Sequence, residues 1–587
     1  MINFPSTFDE QTKTNINSWL EGPYPDEVKQ EIKDLLEKDP KALADAFYTH
    51  LSFGTGGVRT LMGVGTNRLN VYTIQLITQG LANYLLKAFP QEQVSVFISF
   101  DSRNHSNAFA KTTAQVLAAN HIQVFITKDL RPTPYVSFGL RDKKCHAGVM
   151  ITASHNSKEY NGYKVYFQDG AQLVPPHDKN VMEEVQKIHS LDDVKKEVQN
   201  QSFIQEVDES LDEEYLKAIF EMQLNKKDNA KKGSNLKVLY TPLHGTGITL
   251  VPKLFEKWGF TNFETVFEQS TPDGNFPTTK HPNPEVKEAL DIGTKRMLAE
   301  NFDLLIATDP DADRIGIVIN HDNTPIYING NEMACVLLEG ILNNYKIKDL
   351  LNPKSACVKT IVTTELFKTI CDDYKVKCFD VLTGFKYIGE KIHEWELSNE
   401  FQYVFGAEES YGCLFGTHAR DKDAIIATGI VCDLALQLKA QDKTLSDYLI
   451  EIYEKYGVYR EKLESIEFDP GQEGQEKIKS ILKTLRSNPP SQFDTFSILS
   501  IEDYLTQKAL DIKTNQTTSL FLPSSNVLLY RLENEGKLVI RASGTEPKLK
   551  IYAGLKAEKT GSVQEQIQNA DNELTKLIDS LKTHLKI

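Results

Sequence analysis

The sequence predicts an α/β protein, with three tandem doubly wound α/β domains followed by a smaller α+β C-terminal domain. Three observations carry this. The chain has 587 residues, well beyond what one hydrophobic core organises. A unit made of an apolar run, a polar or Gly-rich loop, a helical pattern and a second apolar run occurs three times. After about Arg460 that pattern gives way to mixed segments, ending in KLVIRASGTEPKLKIYAGL and a C-terminal helix.

The elements follow in order. Residues 1–47 read as a helical lead-in, because PDEVKQEIKDLLEK opens on Pro25 and acidic residues and sets Val28, Ile32 and Leu35 on one face. In residues 48–200, VSVFISF, AFAKTTAQVLAAN and IQVFIT form the first strand-helix-strand unit. In 201–325 the unit is LKVLYT, TLVPKLFEKWGF and FETVF, and in 326–460 it is ACVKTIV, ELFKTICDDY and VKCFDV. Residues 461–587 form the smaller last domain. The recurrence is architectural, without a residue-by-residue repeat, and no low-complexity linker separates the domains. Directly packed domains make a cleft between them the expected place for a ligand.

Composition narrows the function. The 81 Asp and Glu outnumber the 66 Lys and Arg, giving a net charge of −15 that disfavours nucleic acid and acidic membrane surfaces as partners. Seven cysteines without a C-x-x-C pair read as reduced thiols, which suits the cytoplasm. The start MINFPSTFDEQTKTN has no export signal, and GIVCDLALQL is too short and too interrupted by Asp433 to span a membrane.

Several loops carry chemistry. FDLLIATDPDADRIGIVIN places Asp309, Asp311 and Asp313 between two apolar strands, where mutual repulsion is most simply relieved by a divalent cation such as Mg²⁺. Arg314 stands where an EF-hand requires Gly, so that motif fails. An aspartyl phosphatase with Asp309 as nucleophile, and a solvated acidic turn, remain open. LSFGTGGVRT lacks the third Gly of a dinucleotide fingerprint and has Arg59 instead, a bidentate phosphate ligand if the Gly turn is a binding loop. RASGTEPKLKIY groups Arg541, Ser543, Gly544 and Thr545 as a phosphate cradle after an apolar run. In LTGFKYIG and FGAEESYG, Lys386 could hold an anion, and Glu408 and Ser410 could hold sugar hydroxyls. ITASHNSKEYNGYK crowds Ser154, His155 and Lys164 together without the elbow of a serine hydrolase, and reads as a phosphorylation centre.

In combination, TASHN with NGYK, DPDADR, TGFK with GAEES, and RASGTEP resemble the α-D-phosphohexomutase superfamily, in family order over almost the whole length. The resemblance implies four domains around a central cleft, each contributing one loop. It implies that Ser154 is a phosphoserine and that Asp309, Asp311 and Asp313 hold Mg²⁺ with its phosphate. Arg59, His155 and Lys164 would then act in proton transfer or charge stabilisation, and Arg314 would follow the metal loop at the substrate. Glu408 and Ser410 would read sugar hydroxyls beside Thr383, Gly384 and Lys386. Arg541, Ser543, Gly544 and Thr545 would grip phosphate, with Lys422 of RDKD a further phosphate ligand.

The implied reaction interconverts glucose 1-phosphate and glucose 6-phosphate through glucose 1,6-bisphosphate, with small-molecule sugar phosphates as partners. Phosphomannomutase, phosphopentomutase and sugar-bisphosphate synthase activities are close alternatives, and a non-catalytic phosphosugar sensor is a more distant one. Ser157 stands where the family usually has Pro, which loosens the φ restraint on the serine loop.

Overall fold

The computed structural model describes residues 4–52, 57–468, 472–542 and 548–587. Ser543, Gly544 and Thr545 therefore lie outside the described residues, as do Gly54 and Gly56. The chain packs as two compact units: Met1–Tyr327 with Ile388–Leu397 and Gly412–Leu436, and Ile328–Tyr387 with Ser398–Tyr411 and Gln437–Ile587. Among the described residues no helix is long and apolar enough to cross a membrane.

The first unit opens with helices Glu10–Glu21, Asp26–Lys38 and Pro40–Phe47. The first is capped by Asp9, whose side chain accepts the Thr12 N–H at 2.7 Å. Ile32 is fully buried in a cluster with Ile16, Trp19, Leu43 and Phe47, while Val28 and Leu35 pack at its margin. The apolar stripe read from the sequence thus faces a core, and Val64 joins it to the first α/β layer.

That layer is a sheet ordered Gly57–Leu61, Tyr160–Phe167, Ala147–Ile151, Ser95–Phe100, Gln123–Thr127, Ile204–Val207. The central strands are parallel, buried and rich in Val, Ile and Phe, as a sheet covered by helices requires. Tyr160–Phe167 runs antiparallel to both of its neighbours. The expected first unit appears as strand Ser95–Phe100, helix Ser106–Ala119 and strand Gln123–Thr127. A second sheet sets Ile315–His321, Leu304–Thr308, Val238–Thr241 and Phe263–Thr265 side by side, and its antiparallel pair Leu304–Thr308 and Ile315–His321 brackets the acidic loop.

In the second unit the parallel strands Lys377–Val381, Ser355–Thr360 and Gln402–Glu408 lie in that order. The last sheet is antiparallel, with Tyr459–Glu467, Lys548–Lys556, Lys537–Ala542, Val527–Leu532 and Phe496–Asp503 adjacent in turn. Helices Gln472–Ser487 and Val563–Leu585 belong to it, and Leu482, Leu485, Leu577 and Leu581 bury against Leu538, Ile540 and Ile551. The fold is therefore three α/β layers and a smaller α+β domain. The mixed segments of the last domain are strands, of which Val527–Leu532 and Lys537–Ala542 are mostly buried while Tyr459–Glu467 is largely exposed on one side.

One carboxyl in this unit is expensive to ionise. Burial raises Glu461 from its ordinary 4.5 to about 7, against a hydrogen bond from Thr364 and the charges of Lys537 and Arg460. An acid raised in the folded state lowers stability as pH climbs from the unfolded value to the folded one, here from 4.5 to about 7. Glu461→Gln should therefore match the wild type in urea unfolding at about pH 4 and exceed it by roughly 2–3 kcal/mol at about pH 8. A difference independent of pH would refute this.

Candidate functional site

The site in the first unit is built on strand ends. Ala147–Ile151 runs into Thr152, Ala153 and Ser154, and Ser154 takes φ 52°, the left-handed region, which turns its side chain away from the strand. Thr152 secures the turn by accepting the Ser154 N–H on Oγ1 at 2.8 Å. The Ser154 hydroxyl donates to Asp309 Oδ2 at 2.7 Å and lies 3.1 Å from His155 Nδ1. Two loops about 150 residues apart in sequence thus meet at one hydroxyl.

The NGYK stretch lies in strand Tyr160–Phe167 and not in a loop. Asn161 is buried and donates to Ser106 Oγ at 2.9 Å and to the Asn104 carbonyl at 3.1 Å. Gly162 is required because a Cβ there would stand 2.4 Å from the Thr152 carbonyl oxygen and 2.7 Å from that of Val58. Lys164 reaches from the same strand, donating to Asp311 Oδ2 at 2.8 Å and Asp313 Oδ2 at 3.1 Å. Arg59 also sits in a strand, Gly57–Leu61, in register with Gly162, and not in a loop. Its Nη1 donates to Asn156 Oδ1 at 3.1 Å.

The three aspartates are buried, and one oxygen from each lies within 4.8 Å of the others. Asp309 Oδ1 accepts the N–H groups of Asp313 and Arg314 at 3.1 and 3.0 Å, which fixes the loop. Asp311 Oδ2 also accepts the Thr133 hydroxyl at 2.6 Å. Lys422 lies 3.2 Å from Asp313 Oδ2, and Arg314 pairs with Glu285 at 2.5 Å. Asp311 Oδ1 and Asp313 Oδ1 are buried without a hydrogen-bond donor. Two orphaned carboxylate oxygens beside a third carboxylate are the donor set of a hard divalent cation, so the residues present fit one.

Electrostatics agree with that fit. Burial, reinforced by the charges of Asp311 and Asp313, holds the Asp309 carboxyl well above its ordinary value. Burial opposes ionisation of Asp311 and Asp313 too, and Asp313 repels Asp311, but Lys164, joined at Asp313 by Lys422 and Arg314, outweighs this and lowers both. Burial likewise opposes the Lys164 charge, and the two aspartates overcome it, keeping an ammonium group. His155 is pushed well below 6.5 by burial and then by Arg314 and Arg59, so its imidazole is neutral. Burial and Arg314 lower Arg59 as well.

Arg103 was not legible as a site residue. Its Nη2 donates to the Ser154 carbonyl at 2.6 Å and to that of Asn156, and its Nη1 donates to those of Ser157 and Tyr160 at 2.8 and 3.0 Å. Asp101 backs it at 3.3 Å, and both side chains are fully buried. The guanidinium ties four carbonyls between Ser154 and Tyr160 to one rigid group. The available signal was DSR directly after VSVFISF, a charged pair at the carboxyl end of a parallel strand. Arg103→Lys should fold yet lose turnover about 10- to 100-fold, because an ammonium cannot hold four carbonyls in one plane. Unchanged kcat with a shifted Tm would reduce Arg103 to a structural role.

In the second unit, Thr383 and Gly384 follow strand Lys377–Val381, and Lys386 opens the helix Lys386–Ser398. The Gly384 N–H donates to Glu408 Oε1 at 3.0 Å, with Glu408 closing strand Gln402–Glu408. The two loops proposed from the sequence to act on one sugar are thereby joined, and Ser410 lies two residues beyond. Arg541 is in strand Lys537–Ala542, in register with Val527 and Lys550.

Four family models match most of the chain. The phosphoglucomutase/phosphomannomutase α/β/α domains I, II and III match residues 50–192, 213–322 and 329–456, and the C-terminal domain of the same family matches residues 508–570. The chain belongs to the phosphoglucomutase/phosphomannomutase family. As a member of that family it is an isomerase-type phosphotransferase enzyme. It is 37% identical over 527 residues to a phosphoglucomutase of Staphylococcus aureus strain MSSA476, covering 89% of this chain and 93% of that one. A Staphylococcus epidermidis phosphoglucomutase is likewise 37% identical, with 94% of its length covered. Among solved structures, the parafusin phosphoglucomutase of Paramecium in its open form has a TM-score of 0.66 at 17% identity, covering 91% of this chain and 96% of that one. A putative phosphomannomutase of Thermus thermophilus has a TM-score of 0.65 at 18% identity, covering 90% and 99%. At such identities these two show the shared phosphoglucomutase/phosphomannomutase fold alone.

Proposed function

We propose that the chain is a phosphoglucomutase, interconverting glucose 1-phosphate and glucose 6-phosphate, with Ser154 carrying the phosphoryl group between half-reactions. The observation that carries this reading is the Ser154 hydroxyl on Asp309 Oδ2 at 2.7 Å, beside two buried carboxylate oxygens that lack a donor. A phosphoryl group on Oγ would lie against those carboxylates, an arrangement that makes sense only with a cation between them. Asp309, Asp311 and Asp313 would hold Mg²⁺ together with the serine phosphate, and the ion would offset charge on the phosphoryl oxygens. The phosphatase alternative gains nothing from the geometry, since Asp309 is occupied by Ser154 and by two backbone N–H groups.

The protein's own residues do the rest. A sugar hydroxyl oxygen bonds to phosphorus as the bond to Ser154 Oγ breaks, and neutral His155, with Nδ1 3.1 Å from Oγ, takes up the hydroxyl proton and passes it to the freed Ser154 Oγ. Lys164, kept charged by its aspartates, and Arg59 and Arg314 stabilise the transferring group. Lys422 adds a further cation. The resulting glucose 1,6-bisphosphate reorients and returns its other phosphate to Ser154. Glu408, oriented by the Gly384 N–H, and Ser410 read the 3- and 4-hydroxyls, with Thr383 and Lys386 beside them. Arg541, with Ser543, Gly544 and Thr545, receives the phosphate that is not reacting. We place the enzyme in the cytoplasm, as its seven free cysteines suit.

The test is a coupled assay of purified protein with Mg²⁺, catalytic glucose 1,6-bisphosphate and a panel of sugar 1-phosphates. The kcat/KM should be at least as high for glucose 1-phosphate as for mannose 1-phosphate, and higher than for ribose 1-phosphate. A furanose would leave groups at Glu408 and Ser410 unpaired at about 1–3 kcal/mol each. The identity to staphylococcal phosphoglucomutases supports glucose. A clear win for ribose would make the enzyme a phosphopentomutase, and one for mannose a phosphomannomutase. Release of inorganic phosphate without isomerised sugar would make it a phosphatase.

A further inference from the structure

Three of the seven cysteines meet in the second unit, away from the groups assigned to the reaction. Cys357 and Cys378 are register partners on the parallel strands Ser355–Thr360 and Lys377–Val381. Partners in a parallel pair present their side chains on the same face of the sheet. Cys371 lies on the helix Glu365–Asp373, and the Val376 N–H returns to the Cys371 carbonyl at 2.9 Å, folding the chain so that the next strand starts beside it. The Cys371 thiol is hydrogen-bonded to both Cys357 and Cys378. Cys357 and Cys371 are fully buried, but Cys378 is half-exposed because its strand forms the edge of the sheet.

Among the described residues only the three aspartates converge tightly enough to hold a metal, so the thiol group is not a metal centre. It has instead the parts of a redox pair. Cys378 is the accessible sulfur, and the buried Cys371 thiol is the one hydrogen-bonded to it. We propose that Cys378 is a peroxide-reactive thiol and that Cys371 resolves it into an intramolecular disulfide.

The steps balance. The Cys378 sulfur attacks one oxygen of hydrogen peroxide, the O–O bond breaks, and the departing hydroxide takes the Cys378 proton as water while a sulfenic acid forms. The Cys371 sulfur then attacks the sulfenyl sulfur, the S–O bond breaks, and the departing hydroxide takes the Cys371 proton as water. Two thiols are oxidised by two electrons, and one peroxide is reduced to two waters. Burial raises the Cys371 thiol well above its ordinary value, which disfavours its direct reaction with peroxide and leaves the first step to Cys378. Val381 ends the same strand two residues before Thr383, so the disulfide would anchor the strand that feeds the Thr383–Lys386 segment.

The test uses the full chain, treated with hydrogen peroxide, quenched by alkylation and mapped by mass spectrometry. A Cys371–Cys378 crosslink is expected in the wild type. In Cys371→Ala, dimedone should trap a sulfenic acid at Cys378. In Cys378→Ser, peroxide-dependent loss of the Cys371 thiol should slow at least about tenfold. A crosslink between Cys357 and Cys378 would overturn the assignment of Cys371. Full alkylation of all seven cysteines after peroxide, or dimedone labelling only elsewhere, would overturn the site itself. Cys378→Ala, matched to the wild type in circular dichroism and Tm, guards against a folding defect being read as lost reactivity. None of these readouts depends on sugar-phosphate turnover.

Discussion

Ser154→Ala loses turnover by at least about 10³-fold while keeping its fold, the largest effect expected of any single substitution here. The phosphoryl group needs one hydroxyl on which to rest between half-reactions, and no other hydroxyl is hydrogen-bonded to Asp309 among the described residues. The fold survives because alanine accepts the left-handed φ of 52° about as well as serine, and the backbone bonds of the loop to Arg103 and Thr152 remain. The lost Oγ contact leaves Asp309 Oδ2 short of one donor, a cost a bound cation would remove. The measurement pairs a single-turnover phosphoryl-transfer assay with thermal unfolding. A folded Ser154→Ala retaining most of its mutase activity would end the phosphoserine assignment. The residual rate that remains should be the part due to positioning and charge alone.

Asp311→Asn should weaken Mg²⁺ binding at least about tenfold and slow phosphoryl transfer about 10²-fold, with sugar-phosphate affinity less affected. Asp311 is held on one side and open on the other. One of its oxygens bonds Thr133 at 2.6 Å and Lys164 at 2.8 Å, and the other is buried without a donor. Asparagine keeps the shape but places an amide where a charge was, and an NH₂ group facing Lys164 or the cation is repelled by either. Lys164 also loses one of the two carboxylates that keep it charged, so the substitution removes stabilisation from the transferring group twice. Titration calorimetry reads the first effect and pre-steady-state kinetics the second. Unchanged metal affinity would return DPDADR to an acidic turn.

Much of this organisation is legible in the chain. The three strand-helix-strand units appear because apolar runs bounded by turn residues have few alternatives once helices cover both faces of a sheet. The aspartates at 309, 311 and 313 are legible because three alternating carboxylates between apolar strands demand a reason. Arg59 is harder. Its neighbouring glycines suggest a loop, yet it lies in a strand whose partner, Gly162, is more than a hundred residues away. Strand pairing at that separation leaves no local pattern. Arg103 is harder still, since a buried arginine looks like any surface arginine until the four carbonyls it serves have been folded around it.

The sequence by itself determined the layer architecture, the chemical type of each loop and the order in which the loops occur, because periodicity and residue type are local properties. Tertiary structure alone decided which loops share atoms: Ser154 with Asp309, Lys164 and Lys422 with Asp313, Thr133 with Asp311, and Gly384 with Glu408. It also decided how readily each carboxyl ionises, raising Asp309 and lowering Asp313 though the two are four residues apart. The reason is that a pKa is set by burial and by charges within a few ångströms, and both are created only when distant segments pack.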